Sequence, residues 1–325
     1  MKAIVLLSGG LDSRLSMRLV LDQGIDVHAL HFTSVFSPGT DPASGAIRAA
    51  EQCGVPITVE DVTEGLLRLL AGPPHGFGSG VNPCIDCRIM ELRRARELMG
   101  EIGASFVVTG EVKGQRPMSQ RLYTLRLIER EAGLEGLVLR PLCALALEPS
   151  IPEQEGWVER GKLKGFTGRQ RTPQIALAEE LGVTDYPNPA GGCRLTEPNF
   201  AHRARDLMEH GELSAENVRL LTVGRHFRLG PGAKLVVGRM EGENSLIEAL
   251  AREGDVLLEA QDFPGPISLV RGEFDEGLLR MAARITARYG KGRGEPEVAV
   301  RIWGRENGSV TVTPARDDEL DALRV

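Results

Sequence analysis

The apolar run Ala3 to Leu7 ends directly in Ser8-Gly9-Gly10-Leu11-Asp12-Ser13, and a helical pattern with Leu15, Leu19 and Val20 facing inward follows at once. A strand that turns into a helix through paired glycines leaves an open helix N-terminus at a strand end. Glycine lets the main chain approach an anion, the free amide groups of the first helical turn point at it, and the helix dipole favours negative charge. A phosphate belongs there. The spacing is not that of the loop G-x-x-x-x-G-K-[ST], which also supplies a lysine. Here the hydroxyls of Ser8 and Ser13 are the available donors, and Asp12 suits Mg²⁺, whose preferred ligands are carboxylate and phosphate oxygens. A tight turn with an Asp-Ser cap accounts for the glycines but not for the whole string.

The rest of the first half repeats the alternation. Short apolar or β-branched runs at Ala3 to Leu7, Asp26 to Phe32, Pro56 to Val62, Phe106 to Thr109 and Leu137 to Leu139 read as strands separated by helical patterns. That order predicts an α/β domain, a parallel sheet with helices on both faces. One helix follows Cys84 and Cys87, with Ile89, Leu92, Ala95 and Met99 at helical spacing. Another is bounded by Thr172 as N-cap, Pro173 at the first position and Gly182 past the end. After about Arg205 the pattern changes: Lys234 to Met240, Asp255 to Ala260, Gly265 to Gly272, Glu297 to Gly304 and Ser309 to Pro314 read as strands, with helices at Asn244 to Arg252 and Phe274 to Tyr289. We expect two domains, an α/β domain over residues 1–205 and a smaller α+β domain over 206–325, in keeping with 325 residues.

The formal charge of −6 excludes a uniformly basic nucleic-acid coat but leaves room for a local basic groove. Arg160, Lys162, Lys164, Arg169 and Arg171 form one basic run, and Arg219, Arg225, His226 and Arg228 a second cluster; either reads as phosphate-touching or as solvated surface. No apolar run reaches the roughly 18 residues of a membrane span, and Leu7 runs into Ser8-Gly9-Gly10 rather than a cleavage site, so a cytosolic protein without a membrane partner is expected.

Five cysteines without an export signal point to metal or redox chemistry rather than a disulfide framework. Cys84 and Cys87 form a C-x-x-C, and Cys193 stands alone after Pro187, Pro189, Ala190, Gly191 and Gly192. Cys53 and Cys143 have apolar neighbours and read as core.

The string at Ser8 to Ser13 resembles the loop of the PP-loop ATP pyrophosphatases, which bind ATP and release pyrophosphate while adenylating a substrate. Thr109-Gly110-Glu111, Gly114-Gln115 and Ser119-Gln120 resemble the T-G-E-x-x-G-Q-x-x-S-Q stretch of the tRNA 4-thiouridine synthetases. Asn82-Pro83-Cys84-Ile85-Asp86-Cys87 with the distant Gly192-Cys193 is similar to the cysteine pattern of the tRNA uridine thiolases. Together these cover about residues 1 to 200. The resemblance implies ATP-dependent sulfur transfer to a tRNA uridine through an adenylated base. Ser8, Gly9, Gly10, Asp12 and Ser13 would bind the pyrophosphate of ATP and its Mg²⁺, a strand edge near Phe32 would meet adenine, and Gly110 would lie near the α-phosphate.

One departure matters. Many 2-thiouridylases have an acid at the position of Cys84 and a persulfide-forming cysteine at that of Cys87. With a thiol in place of the acid, Cys84, Cys87 and Cys193 resemble the set of thiolases that hold a [4Fe-4S] cluster with one iron open to hydrosulfide, since four cysteines are the usual complement. A zinc site comes second, because zinc wants four ligands and no histidine neighbours these cysteines in sequence. A Cys84–Cys87 disulfide with a persulfide at Cys193 comes third, and unlinked core cysteines last. The implied partners are tRNA and a sulfur donor, either hydrosulfide or a cysteine desulfurase-type carrier. Asp12, Cys84, Cys87 and Cys193 are the candidate catalytic residues.

In the second domain Val236-Val237-Gly238-Arg239, Glu243-Asn244, Asp255-Val256, Phe263-Pro264-Gly265, Ala282-Ala283 and Tyr289-Gly290-Lys291 resemble the NFACT-R domain, an RNA-binding type, over about residues 230 to 325. Two other classes fit less of the sequence: a PP-loop enzyme that adenylates a small molecule, and a noncatalytic RNA-binding iron-sulfur protein.

Overall fold

The computed structural model describes residues 1–187 and 192–325. Pro189, Ala190 and Gly191 of the expected loop before Cys193 lie outside the described residues. The chain forms two compact units, Met1–Thr196 and Glu197–Val325.

In the first unit, strands β1 (Lys2–Leu6), β2 (Asp26–Thr33), β3 (Ile57–Asp61), β4 (Phe106–Val108) and β5 (Val138–Leu139) make a sheet in the order β3-β2-β1-β4-β5. Every pairing is parallel. The helices are α1 (Leu11–Leu21), α2 (Ser44–Gln52), α3 (Thr63–Leu70), α4 (Cys84–Ile102), α5 (Leu122–Ala132), α6 (Ile151–Gln154) and α7 (Thr172–Glu180). Period-two alternation splits β1 between two cores. Ala3 and Val5 pack with Met17, Val20 and Ala46 on one face, whereas Ile4 and Leu6 pack with Ile89, Leu92 and Ile128 on the other. β1 pairs with β2 on one side and β4 on the other, so the chain reverses its direction of travel across the sheet between β1 and β4. Crevices at such a switch point, outside the carboxyl ends of the strands, are where open α/β sheets take ligands.

The second unit is a six-stranded antiparallel sheet of β6 (Arg225–Gly230), β7 (Ala233–Val237), β8 (Val256–Ala260), β9 (Ser268–Gly272), β10 (Val298–Gly304) and β11 (Gly308–Val312), in the order β11-β10-β8-β9-β7-β6. Its helices are α8 (Pro198–Glu209), α9 (Ala215–Leu220), α10 (Glu241–Ala249), α11 (Glu276–Tyr289) and α12 (Asp317–Leu323). Leu235, Val237, Leu258 and Val270 bury one face against Leu279, Ala282 and Ile285 of α11, while Val236, Leu257 and Leu269 on the opposite face meet Leu220 and Ile247.

The architecture is the expected one, an α/β parallel-sheet domain followed by a smaller α+β domain. Three details differ. Helix α8 runs through position 205, so the units divide at Thr196/Glu197. Thr172 is the first residue of α7 and Arg171 its N-cap. Strand β6 occupies the segment read as a basic cluster, whose alternation of charged and apolar residues marks a half-buried strand. No described helix is long and apolar enough to cross a membrane.

Candidate functional site

The loop between β1 and α1 stands at the switch point. Gly9 has φ +77°, and a Cβ there would lie 2.7 Å from the main chain of Gly45 and Ala46, so only glycine fits. Gly10 caps α1 in an extended conformation. Ser8 Oγ and Ser13 Oγ are 3.2 Å apart, and Ser13 Oγ donates to Gly10 O at 2.9 Å. The helix opens with its first-turn amides unbonded beside these hydroxyls, the arrangement an oxyanion requires. Buried Arg14 holds the loop from behind, with Nε donating to Gly9 O at 2.8 Å and Nη2 to Gly45 O at 2.9 Å.

Asp12 is held by one oxygen. Oδ2 accepts from Gln115 Nε2 at 2.8 Å and from Arg171 Nη2 at 3.2 Å, while Oδ1 is buried with no hydrogen-bond partner. Gln115 is itself oriented by Gln174, whose Nε2 donates to Gln115 Oε1 at 3.2 Å from the first turn of α7. A buried carboxylate oxygen left bare is costly unless a cation or donor meets it. The donor chemistry therefore fits Mg²⁺, with Oδ1 as its protein ligand.

Gly110 follows β4, and a Cβ on it would fall 2.6 Å from Ser13 N and 2.7 Å from Asp12 C. The Thr109-Gly110-Glu111 turn thus rests directly on the start of α1. Glu111 is buried, and its Oε2 accepts from Thr109 Oγ1 at 3.2 Å and Arg140 Nε at 3.1 Å. Burial works against its ionised form, yet Arg140 and Arg88 prevail and hold its pKa below the ordinary carboxylate value. Arg88 Nε lies 3.4 Å from Glu111 Oε1, and its Nη1 donates to Glu91 Oε2 at 2.7 Å.

Arg88 connects this turn to the thiols. Cys84 opens α4, with Asn82 Nδ2 at 3.0 Å from its sulfur, and Cys87 sits one turn on with Sγ 3.6 Å from Glu91 Oε1. Burial first, then Glu91, push the Cys87 thiol pKa well up, with Arg88 opposing and Cys193 and Cys84 adding to the rise. Cys87 therefore lies within electrostatic range of both other thiols. The hydrogen bond from Val81 N to Leu195 O, 3.2 Å, brings the Cys193 segment beside the turn before Cys84. None of the five cysteines is joined in a disulfide among the described residues. Among the described residues no three His, Cys, Asp or Glu side chains are arranged to hold one metal ion. Cys143 is buried, its pKa pushed up to about 11 by burial, and Cys53 packs partly buried against the core, as expected for both.

Phe32 stands near the carboxyl end of β2, paired with Glu60 and packed against the core under α4. Its neighbour His31, which the sequence reading passed over, is buried beside the loop, with Nδ1 2.8 Å from Leu7 O and Nε2 unpartnered. Gln115 lay within a quoted motif and Arg171 within a basic run, but neither spacing reveals that both grip Asp12. The two basic clusters change character. Arg160 pairs with Glu153, Lys162 with Glu159 and Arg171 with Asp12. In the second cluster His226 is buried, Arg228 is neutralised by Asp206 and Glu212 at 2.7 Å each, and Arg225 lies over the ring of Tyr289. Those three are structural groups rather than a phosphate-binding surface.

Residues 224–324 match the NFACT protein RNA binding domain. The chain is similar to the tRNA-specific 2-thiouridylase MnmA of Micrococcus luteus, 29% identical over 132 residues, covering 36% of this chain and 35% of that protein. The MnmA of Deinococcus radiodurans is 30% identical over 128 residues, 34% of this chain and 32% of the relative. The match thus spans about a third of the length of these relatives. A crystal structure of a 4-thiouridine synthetase in complex with RNA and bound ATP aligns at a TM-score of 0.39 and 22% identity, over 68% of this chain and 52% of that one. The chain joins a parallel-sheet domain to one that matches the NFACT RNA binding domain, and about a third of its length is similar to tRNA-specific 2-thiouridylases.

Proposed function

We propose that this protein is a cytoplasmic, ATP-dependent tRNA-uridine sulfurtransferase. The observation that carries the reading is the unbroken run of contacts from Asp12 and Ser13 through Gly110, Glu111 and Arg88 to Cys87, which joins an anion-binding loop to a set of thiols. The relatives named as 2-thiouridylases support the substrate class.

In this reading Ser8, Gly9, Gly10 and Ser13 hold the pyrophosphate part of ATP, with Phe32 toward adenine and Gly110 near the α-phosphate. A uridine carbonyl oxygen attacks the α-phosphorus and pyrophosphate leaves, so a poor leaving oxygen becomes part of AMP. Sulfur at the hydrosulfide level then adds to the activated carbon and AMP departs with the oxygen. The uridine must be unstacked to reach both groups. Asp12 Oδ1 would hold Mg²⁺, which neutralises phosphate charge. Gln115 and Arg171 keep that carboxylate aimed.

Cys84, Cys87 and Cys193 would hold a [4Fe-4S] cluster, one thiol short of the usual four. When bound, the cluster supplies an iron with an open position for hydrosulfide. The chain's own contribution is the half-buried Cys87 thiol and the Arg88 guanidinium next to it in sequence. Hydrosulfide is the donor; persulfide sulfur from a cysteine desulfurase-type carrier would serve only after two thiols reduce it to hydrosulfide and leave as a disulfide.

Mass spectrometry of tRNA nucleosides tests the function. Cells lacking the protein should lose one thiolated uridine, which the wild-type chain restores and Asp12→Asn or Cys87→Ala does not. An unchanged nucleoside profile overturns the reading. Anaerobic purification tests the cluster: about four irons per chain are expected, lost from Cys84→Ala, Cys87→Ala and Cys193→Ala but not from Cys53→Ala or Cys143→Ala.

A further inference from the structure

Two stretches of the first unit, 112–128 and 160–178, contain no Asp or Glu, in a chain whose formal charge is −6. The fold brings them together. Gly168 N donates to Lys113 O at 2.9 Å, and both stretches converge on Asp12, one through Gln115 and the other through Arg171. Arg116 follows Gln115 directly, and Arg169 stands two residues before Arg171. The loop beyond Gln115 folds back on itself, with Gly114 N donating to Gln120 O at 2.7 Å and Gln120 N to Arg116 O at 3.2 Å. Arg116 is thereby returned to the start of α5, where Arg121 is the N-cap and the first turn holds no acid.

Acids from elsewhere reach other cations of these stretches. Glu148 meets Arg126, Glu153 meets Arg160 and Glu159 meets Lys162. Arg116, Arg121 and Arg169 are exposed, and none has a carboxylate within 4.0 Å among the described residues. Close to Arg121 in the first turn of α5, Tyr123 is 73% exposed, more than any other large apolar or aromatic side chain among the described residues. Its ring is not the edge of an unfinished core, because α5 already buries Leu125, Ile128 and Ala132. Three unmatched guanidinium groups and a bare aromatic ring thus border the segments that hold Asp12.

We propose that this rim holds an unpaired RNA strand, with Arg116, Arg121 and Arg169 meeting its phosphates and the Tyr123 ring stacking on one of its bases. The inference rests on the reading of tRNA as the substrate, and it gives the first unit its own grip on the strand next to the target uridine. Clustered cations in an otherwise acidic chain call for a polyanion, and the guanidinium fork matches phosphate oxygens in pairs. The ring selects among polyanions. Bases of a duplex are stacked inside it, whereas an unpaired base offers a free face that an aromatic side chain can cover. An anionic membrane fits less well, since it draws in the broad apolar face of a helix, and that face of α5 is buried in the core.

Fluorescence anisotropy of the full-length protein with a labelled oligouridylate of about ten nucleotides, across a salt series, provides the test. Replacing Arg116, Arg121 and Arg169 together with glutamine should lower the slope of log affinity against log salt by up to about 2. Tyr123→Ala should weaken binding about tenfold, whereas Tyr123→Phe keeps the ring and the affinity. All are surface changes, so melting temperatures should stay at the wild-type value. Should a variant melt early, ultraviolet crosslinking of the same oligomer carrying 5-iodouridine to the wild-type chain reads the site directly, with an adduct expected on the tryptic peptide 122–126. Unchanged affinity in Tyr123→Ala, equal loss in Tyr123→Phe, an unchanged slope in the triple variant, or crosslinks only outside the first unit would overturn the inference. So would equal affinity for a blunt duplex of the same length, or tighter binding to phosphatidylserine vesicles that the same substitutions abolish. These constants are read without turnover, so their failure leaves the nucleoside test of the reaction standing, and failure of that test leaves these constants standing.

Discussion

Arg171 reaches Asp12 from the far end of the first unit, Nη2 to Oδ2 at 3.2 Å, and leaves the other carboxylate oxygen buried and unbonded. The two residues are 159 positions apart, and the contact orients a carboxylate in the first turn of α1. Asp12→Asn preserves shape but removes the charge, so thiolation should fall about a hundredfold or more while the melting temperature barely moves. Arg171→Met leaves Gln115 in place and should cost about tenfold. Initial rates of thiolated-nucleoside formation check both, and near-parental activity of Asp12→Asn would refute the assignment.

Arg140 and Glu111 are each 3% exposed, and Glu129 completes their ion-pair group. Removing one partner of a buried pair strands the other, at a cost of about 3–5 kcal/mol. Arg140→Met should lower stability by that amount. The double variant Arg140→Met/Glu111→Gln should cost much less than the sum of the single changes, because no bare charge remains. Urea unfolding of the three variants measures the coupling; strict additivity would contradict it.

The β-α alternation was legible because each strand of the first sheet is a short apolar run, and the loop was legible because glycine pairs and hydroxyls cluster within six residues. The second sheet was read from five of its six strands. Strand β6 was missed, since Arg225, His226 and Arg228 put three basic side chains within four residues and a basic patch looks the same in sequence. What separates the two is Asp206 and Glu212, placed by α8 and the turn after it to neutralise Arg228. The Asp12 clamp was hidden for the same reason: Gln115, Arg171 and Gln174 come from three separate segments.

Two histidines give the units opposite responses to pH. His75 Nδ1 lies 2.7 Å from Asp86 Oδ1, and that hydrogen bond above all, with the charges of Asp86 and Glu131, raises its pKa. Its contribution is complete below the unfolded value of about 6.5 and is lost as pH rises through the higher folded value. His226 is the reverse, because burial favours its neutral ring. Its contribution is present above about 6.5 and is lost as pH falls, by up to about 1.4 kcal/mol per pH unit. Hydrogen exchange of the full chain should show the second unit weakening below pH 6.5 and His226→Gln flattening that trend. The first unit should weaken on the alkaline side, and His75→Gln should remove that loss. Slopes of the same sign in both units would show the assignment to be wrong.

RNA binding by the second unit is the last expectation, and the structure redirects which cations carry it. Each phosphate contact steepens the fall of log affinity with log salt by about 0.7 to 0.9. Arg228 is paired with two acids inside the fold, so Arg228→Met should reduce stability without changing that slope. Lys291 and Arg293 are exposed and have no acidic partner within 4.0 Å among the described residues. Replacing both with alanine should weaken tRNA binding and lower the slope by up to about 1.8, leaving the fold intact because neither packs in the core. Removal of residues 197–325 should lower the slope further while ATP binding persists, provided circular dichroism shows the remaining 1–196 unit folded. Filter binding across a salt series measures all three. A folded 1–196 fragment that holds tRNA with the full-length affinity and slope would exclude the second unit from the RNA interface.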